Sequence, residues 1–428
     1  MEGESNEFAN EPVPVERTGS WIGVALISAM VAFSLPTFVA GVELFAVSDY
    51  RSAIIAVVTG GALLALIGGI CGVIGARTRL SSYMLAKVAF GYRGAALVNV
   101  AFAISLLGWF GVNIDLFSET ALRMLADIWG VQAPVWLIEL IAGVIMTMTT
   151  LYGFRAISGL SMLLTPVLML VTALLWYQIA GASAGHALWD EVTVSTLSFG
   201  DSVSAVVGGV IIGAVILPDI TRFIRHWQGA VYTALLSYLV VGSVVMIAGG
   251  LAAQLFAQGE FLDVMMTIGL GSAAFVIVIA GSWVLNTLNL YSTALSIAAT
   301  APRVPNHWLV LGLGALGTLA AFANILDYFL DFLFYLAIVF VPVAGVIAVD
   351  YTLLRRAAYH DALDPEAIAV SWAALLSWFA GAVVALLGAE GVITLSGIAA
   401  VDAIAVSAGC YALAGRWSTR PTPASDAT

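Results

Sequence analysis

Long apolar runs follow one another along almost the whole chain, separated by short polar segments. Each run has about 20 residues, the length that an α-helix needs to cross roughly 30 Å of hydrocarbon. The pattern predicts about twelve membrane-spanning helices, and their starts lie near Trp21, Ser52, Gly94, Ala133, Ile157, Asp201, Gln228, Ser272, Asn306, Phe329, Val370 and Ile393. The short linkers leave no room for a separate soluble domain.

Composition and charge support this reading. The chain has 428 residues, of which 61% are hydrophobic and only 10% charged, with a mean hydropathy of +1.04, whereas soluble domains are about a quarter charged. Five glutamates between Glu2 and Glu16 form an N-terminal tail that we expect to be disordered. It lacks the basic segment of a signal peptide, so we expect no processing. The two cysteines, Cys71 and Cys410, lie in apolar spans, which excludes a disulfide framework.

Basic residues concentrate in every second connecting segment. With the N-terminus in the cytoplasm, all but two of the 15 Lys and Arg residues fall on the cytoplasmic side, the exceptions being Arg51 and Arg123. This asymmetry satisfies the positive-inside rule. It predicts a multi-pass protein of the cell (inner or plasma) membrane with both termini cytoplasmic.

Two predicted spans contain helix-breaking residues at matching positions. Span one reads "FSLPTFVAGVELF" from Phe33 to Phe45, and span six reads "SAVVGGVIIGAVILPD", with its glycines Gly208, Gly209 and Gly213 ahead of Pro218. Unwound backbone cannot face lipid, so it must contact protein, ligand or ion. Paired breaks favour two inverted repeats of five spans with a site near the bilayer midplane. Close helix packing by small residues is the alternative.

Span three, "LLGWFGVNIDLFSE", places Trp109 and Asn113 four residues apart on one helix face. The indole offers a stacking surface for a flat heterocycle, and the amide offers donors and an acceptor for its edge. A packed Trp and an Asn bonded to a neighbouring helix are the alternative.

Span eight, "GSWVLNTLNLYSTALSIAA", carries a polar stripe of Asn286, Asn289 and Thr293. Such a stripe is costly against lipid, so it must face the protein interior. Together with Ser292, Thr293 offers hydroxyl oxygens that suit a hard cation such as Na⁺. Hydrogen bonds between helices are the alternative.

Charged residues near the predicted span ends allow two interpretations. Asp219, Arg222 and Arg225 in "PDITRFIRH", with Asp350 and Arg355 further on, predict a cytoplasmic ion-pair network that acts as a gate, or solvated loop charges. The sequence leaves three possible roles, capping, gating or proton coupling, for the acids Glu43, Asp115 and Glu119.

Catalytic signatures do not emerge from the chain. "GLGALG" at Gly312 to Gly317 matches the dinucleotide pattern literally, but it lies in an apolar span without a preceding strand. No metalloprotease motif, phosphate loop or nucleophile elbow occurs. We therefore expect no enzyme activity.

Four motifs in order resemble the nucleobase:cation symporter-1 family, and within it the bacterial cytosine-permease type. They are "GWFGV" in span three, D-x-x-RF-x-R from Asp219 to Arg225, W-x-x-N-x-x-x-LY from Trp283 to Tyr291, and "VPVAGVIAVDYTLLRR" at the end of span ten. The similarity covers nearly the whole chain, beginning with the "EPVPVER" segment of the tail.

The resemblance implies an all-α, leucine-transporter-like fold with a five-plus-five inverted repeat and two C-terminal helices. It divides the chain into a cytoplasmic acidic tail (residues 1–20), one transporter domain (21–416) and a cytoplasmic tail (417–428). Within the domain, the first repeat spans about residues 21–181, the second about 201–350, and the extra helices about 369–416.

The resemblance also implies the site. The residues expected to bind substrate are Ser34, Thr37, Trp109, Asn113, Gly209, Val210 and Asn286. The groups expected to bind a coupling Na⁺ are Ser34, Thr37, Asn289, Ser292 and Thr293. Relatives commonly carry a second stacking aromatic in span six, where this chain has Val210 or Ile211, which indicates a more apolar pocket than one for cytosine itself.

The expected function is import of cytosine or a related pyrimidine with Na⁺ by alternating access. The alternatives are H⁺-coupled uptake of another flat heterocycle, such as a hydroxymethylpyrimidine or a purine, and an amino-acid or amine transporter of the same fold. The expected partners are a small nucleobase-like substrate and the lipid bilayer. We expect neither nucleic acid nor an obligate protein partner.

Overall fold

The computed structural model describes residue 8 and residues 11–183, 196–301, 303–323, 329–359 and 369–418. Within these ranges the fold is helical, and the isolated bridge between Gly19 and Ile224 is its extended pairing. Eight described helices are long and apolar enough to cross a membrane, or nine when a bent pair is one span. The all-helical, polytopic class predicted from hydropathy is therefore confirmed.

The helices are numbered in chain order. They are α1 (Trp21–Ala32), α2 (Leu35–Val47), α3 (Tyr50–Thr78), α4 (Ser82–Phe90), α5 (Tyr92–Trp129), α6 (Val135–Leu151), α7 (Phe154–Ser183), α8 (Phe199–Val215), α9 (Pro218–Thr221), α10 (Gln228–Ala234), α11 (Ser243–Leu255), α12 (Phe261–Thr267), α13 (Gly271–Val276), α14 (Ser282–Thr300), α15 (Asn306–Ala321), α16 (Phe329–Val349), α17 (Trp372–Ala389) and α18 (Ala399–Ser418). Two π-helical segments, Leu235–Gly242 and Ile277–Gly281, join α10 to α11 and α13 to α14.

Long-range hydrogen bonds define the two ends of the molecule. At the N-terminal end, Val13 N–H donates to Arg79 O at 3.0 Å, and Arg93 N–H donates to Ala369 O at 2.8 Å. At the far end, Arg123 of α5 pairs with Glu260 beside α12. Successive long helices run alternately between these two ends.

The helices that surround the site form two groups. The first, called the bundle below, contains α1 and α2, α3, α8 and α9, and α10 and α11; the second, called the scaffold, contains α5, α6, α13 and α14, and α15. Glycines bring the bundle backbones close together, as small residues do in membrane interfaces. A Cβ on Gly75 of α3 would lie 2.6 Å from Pro218 Cα, and one on Gly41 of α2 would meet Met246 O. The bundle is therefore packed as one body.

The predicted break in span one is present, whereas the one in span six lies elsewhere. α1 and α2 meet at Phe33 and Ser34 with a bend of 48°. In span six, α8 runs without interruption through the glycines to Val215, and only Ile216 and Leu217 are non-helical before Pro218. The prediction that the glycines unwind this span was wrong, because they serve close packing and the proline, which cannot continue a helix, sets the interruption.

Residues 11–20 of the N-terminal tail also differ from the expected disorder, whereas Glu2, Glu4 and Glu7 lie outside the described residues. Residues 15–17 form a 3-10 helix, and Val13 is fully buried. Gly19 N–H donates to Phe223 O at 2.8 Å, and Arg225 N–H donates back to Gly19 O at 3.0 Å. Residues 11–20 are thus docked against the N-terminal end of the bundle.

Candidate functional site

A cavity of about 120 Å³ lies between the bundle and the scaffold. This size is of the order of the roughly 150 Å³ apolar cavity that binds benzene, so it suits a single-ring molecule. Most of its wall is apolar, and Trp109 and Tyr238 are its aromatic side chains. Of the residues predicted to bind substrate or Na⁺, those that line the cavity are Ser34, Thr37, Trp109, Gly209, Val210, Asn289 and Ser292.

The α1–α2 break supplies the polar backbone of the cavity. Ser34 is the N-cap of α2, and its hydroxyl donates to Val31 O at 2.7 Å. The start of α14 approaches this break because Gly281 has no side chain: a Cβ there would lie 3.1 Å from Ser34 Cα and 3.2 Å from Phe33 O. Gly281 was not selected from the sequence, where a glycine in an apolar run carries no distinguishing signal.

Trp109 of α5 lies on the cavity wall, but Asn113 does not. The Asn113 amide donates to Trp109 O at 2.7 Å within the same helix, and its Oδ1 has no hydrogen-bond partner among the described residues. Asn113 is fully buried. The shared helix face predicted for this pair therefore brings only the Trp to the cavity.

The polar stripe on α14 is divided between two environments. Asn289 and Ser292 line the cavity. Asn286 instead donates to the backbone oxygen of Phe110 at 3.0 Å, beside a second core cluster formed by α5, α6, α14 and α15, and its Oδ1 accepts from the Asn289 amide at 3.5 Å. Thr293 donates to Asn289 O at 2.7 Å. Asn286 and Thr293 are not brought to the cavity wall, and the interhelical hydrogen bond considered for Asn286 is present.

Asp219 also lines the cavity, although its sequence position indicated a gate. Its carboxylate accepts from Ser82 N–H at 2.8 Å and from the Ser292 hydroxyl at 3.5 Å. Arg222, fully buried beside it, donates to Phe8 O at 2.8 Å and to the Tyr291 hydroxyl at 3.5 Å. A buried carboxylate is thus bonded to one of the predicted Na⁺ ligands.

The predicted gate residues form two separate clusters, one at each end of α4. Asp219 caps the N-terminus of α4 through Ser82 N–H. At its C-terminus, Arg355 donates to Val88 O at 2.8 Å and is paired with Asp350. Negative charge at a helix N-terminus and positive charge at its C-terminus both complement the helix dipole. The clusters hold α4 in place.

The cluster at the C-terminus of α4 contains a charged ion pair. Although burial disfavours the charged form, the Asp350 carboxylate raises the pKa of the Arg355 guanidinium, which stays charged. Asp350 also accepts hydrogen bonds of 2.7 Å from the hydroxyls of Tyr359 and Tyr411. Arg225 is exposed and joins neither cluster through a described side-chain bond.

The three acids with open roles lie away from the cavity wall. Glu43 and Glu119 are exposed, whereas Asp115 is buried in α5. The Asp115 side chain lies within electrostatic range of Glu139 on α6. The geometry assigns none of them to the cavity.

A helical membrane protein with a broken span, two groups of helices and a ring-sized cavity between them is a secondary transporter in architecture. The chain belongs to the family of permeases for cytosine/purines, uracil, thiamine and allantoin, whose model matches residues 12–411. The resemblance to the nucleobase:cation symporter-1 family is confirmed, and the protein is a transporter of nucleobase-type compounds rather than an enzyme.

Individual relatives agree with this assignment. The chain is 27% identical over 375 residues to the cytosine permease of Escherichia coli K12, covering 87% of both proteins. It is 24% identical over 404 residues to the hydantoin permease of Microbacterium maritypicum, covering 87% of this chain and 81% of that protein.

Solved structures share the fold. Mhp1, a nucleobase-cation-symport-1 family transporter in a closed conformation with bromovinylhydantoin bound, aligns with a TM-score of 0.81 and 19% identity, covering 96% of this chain and 95% of that one. A Na⁺-coupled sialic acid symporter aligns with a TM-score of 0.66 and 11% identity, covering 97% and 92%. The leucine-transporter-like fold class is therefore confirmed.

Proposed function

We propose that this transporter imports a nucleobase-like heterocycle, cytosine or a related pyrimidine, together with Na⁺. The observation that carries the proposal is the ring-sized, largely apolar cavity with Trp109 on its scaffold wall. The cytosine and hydantoin permeases among its relatives are named for flat ring compounds. An apolar cavity of this kind suits a neutral heterocycle better than a zwitterionic amino acid, whose charges need polar partners.

In this proposal the ring stacks on Trp109. Its edge faces the α1–α2 break at Ser34 and Thr37, and its second face packs on Gly209 and Val210 of α8. Asn113 does not contact the ring; its amide donates to the backbone oxygen of Trp109 at 2.7 Å. Asn286 reaches the substrate only if its amide leaves Phe110 O, so in the present geometry it positions α14 against α5.

The proposed Na⁺ site lies between the break and α14. The oxygens offered are those of Ser34 and Thr37, the Asn289 carbonyl, and the hydroxyls of Ser292 and Thr293. The Asp219 carboxylate, 3.5 Å from the Ser292 hydroxyl, adds negative charge nearby. The Na⁺-coupled sialic acid symporter, which shares this fold, supports a cation of this kind.

Transport follows from movement of the bundle against the scaffold. The backbone contacts at Gly41 and Gly75 keep the bundle rigid. At the N-terminal end, the bonds from Ser292 to Asp219 and from Arg222 to Tyr291 join bundle to scaffold and must break when that end opens. With both termini cytoplasmic, this end is the inner gate, and the substrate enters from the far end.

Uptake of radiolabelled cytosine into proteoliposomes tests the proposal. Uptake should be saturable and should increase when an inward Na⁺ gradient is imposed at fixed pH. A second set of vesicles receives a proton gradient at constant Na⁺. If uptake is equal with and without Na⁺ but is stimulated by the proton gradient, the coupling ion is H⁺ and not Na⁺. Absence of saturable uptake for a panel of pyrimidines and purines would refute the substrate class.

A further inference from the structure

The bundle wall of the cavity carries a group of hydroxyls that the proposed site does not use. Ser237 and Tyr238 lie in the π-helical segment between α10 and α11, and Ser243 follows that segment directly. All three line the cavity, as does Ser28 of α1. Together, Ser237, Tyr238 and Ser243 form the hydroxyl cluster.

Two members of the hydroxyl cluster lack hydrogen-bond partners. The side-chain oxygens of Ser237 and Ser243 are buried without a partner among the described residues, and the residues are 0% and 6% exposed. A buried hydroxyl without a partner costs free energy, so native proteins supply one from protein, water or ligand. Because Ser237 and Ser243 line the cavity, its contents can supply the missing partner.

Two glycines of the bundle lie close to these hydroxyls. A Cβ on Gly61 of α3 would lie 2.7 Å from Ser243 Oγ, and a Cβ on Gly213 of α8 would lie 3.7 Å from Tyr238 Oη. Both glycines line the cavity. A side chain at Gly61 would collide with the Ser243 hydroxyl and with the backbone oxygen of Tyr238, which would lie 2.9 Å from the added Cβ.

The π-helical segment explains how these residues reach one wall. In an α-helix, residues five or six apart lie on different faces, whereas the wider π turn re-aims side chains within one helix, and such segments are frequent at functional sites. The segment runs from Leu235 to Gly242, so it contains Ser237 and Tyr238 and sets the direction of Ser243.

We propose that the hydroxyl cluster binds a polar exocyclic substituent of the transported heterocycle and so determines which ring compounds are accepted. The inference rests on the proposed function, since it needs a ring stacked on Trp109 of the scaffold while its substituent points into the bundle. A hydroxyl both donates and accepts hydrogen bonds, so the cluster suits an amino, an oxo or a hydroxymethyl group. Compounds with hydrogen or methyl at that position leave the Ser237 and Ser243 hydroxyls unpaired.

Equilibrium binding to the purified full-length protein tests the inference with two matched pairs of compounds. Cytosine is compared with pyrimidin-2-one, which lacks the exocyclic amino group, and 5-hydroxymethylcytosine with 5-methylcytosine. For wild type, the better-bound member of at least one pair should be the compound with the extra polar group. In the double variant Ser237→Ala/Ser243→Ala, that preference should fall about tenfold, the effect of one lost hydrogen bond.

Ser204→Ala is the matched control. Ser204 of α8 is also buried, and its hydroxyl has no partner in the described part of the chain, but it does not line the cavity. Its removal should leave the preference unchanged. Gly61→Ala provides an independent variant: its methyl group would displace the Ser243 hydroxyl and the backbone at Tyr238, so it should also reduce the preference for the substituted member of the pair.

The possible results separate the two proposals. If wild type binds the ring compounds and the double variant keeps the wild-type preference, or matches Ser204→Ala, the hydroxyl cluster is not a substituent site while the proposed function stands. If wild type binds none of the four compounds nor any other heterocycle, the proposed function fails and the inference falls with it.

Discussion

In the proposed site, Trp109 is the residue on which we expect substrate binding to depend most. Its indole is the aromatic surface that the scaffold presents to the cavity, and stacking of a base on an aromatic side chain is worth about 1–3 kcal/mol. Trp109→Ala should therefore weaken heterocycle binding by about tenfold to a hundredfold, measured by equilibrium binding with the folded state checked by thermal unfolding. Trp109→Phe should retain most of the affinity, and an unchanged affinity in Trp109→Ala would remove the indole from the site.

Thr293 provides a test of ion coupling with an internal control. Its hydroxyl donates to Asn289 O at 2.7 Å, and the hydroxyl of Thr287, on the same helix, makes the equivalent bond to Trp283 O at 2.8 Å. Because only Thr293 belongs to the proposed Na⁺ site, Thr293→Ala should raise the Na⁺ concentration for half-maximal uptake several-fold. Thr287→Ala should not, and equal effects of both variants would indicate a structural role for the two threonines.

The surroundings of single polar residues could not be predicted from the sequence. The spacing correctly identified a polar stripe on α14 that faces protein, but Asn286 and Asn289 have different surroundings. Asn286 bonds Phe110 O, whereas Asn289 lines the cavity. The difference depends on which carbonyl of α5 lies opposite, and that carbonyl is more than a hundred residues away in the chain.

Among the helices, α3 shows most clearly how glycines set the packing of the bundle. A Cβ on Gly75 would lie 2.6 Å from Pro218 Cα, whereas a Cβ on Gly69 would meet only Ala234 Cβ at 3.9 Å. Gly75→Ala should lower the free energy of unfolding by about 1–3 kcal/mol through overpacking. Gly69→Ala makes no close contact, and alanine is favoured over glycine inside a helix, so it should leave the free energy of unfolding unchanged or raise it by up to about 1 kcal/mol. Thermal unfolding of both variants in detergent measures the difference, and equal midpoints would contradict the tight packing.

The interruption of span six shows why helix breaks are hard to locate from sequence. Glycines in a membrane span have the same signature whether they unwind the helix or admit a neighbouring backbone. In span one the Ser-Leu-Pro sequence marked the break to within a few residues. In span six, Pro218 marked it, and the glycines before it belong to a regular helix.

For the whole molecule, the predicted orientation in the membrane is open to a direct experiment. Gly259 at the far end and Arg225 at the N-terminal end are both exposed. In a background with Cys71→Ala and Cys410→Ala, Gly259→Cys should react with a membrane-impermeant maleimide added to intact cells. Arg225→Cys should react only after permeabilisation. The opposite labelling pattern would invert the transporter and exchange its inner and outer gates.

The class of the molecule followed from properties that are local in the chain. The length and composition of each apolar run determine whether it partitions into lipid, so the helical, multi-span class needed no knowledge of neighbours. The order of four motifs was sufficient to indicate the family. Trp109, Ser34 and Ser292 were found in the same way, because polar or breaking residues inside apolar runs are conspicuous.

The composition of the cavity wall depended instead on contacts between distant segments. Asp219 lies at the site and accepts a hydrogen bond from Ser292, and Gly281 packs against the α1–α2 break. Ser237 and Ser243 face the site because of the π-helical segment that contains Ser237 and precedes Ser243. The sequence gives no sign of which face a helix turns toward the cavity. That choice is made when the helices pack, because each buried polar group takes the partner that neighbouring helices bring within hydrogen-bond distance.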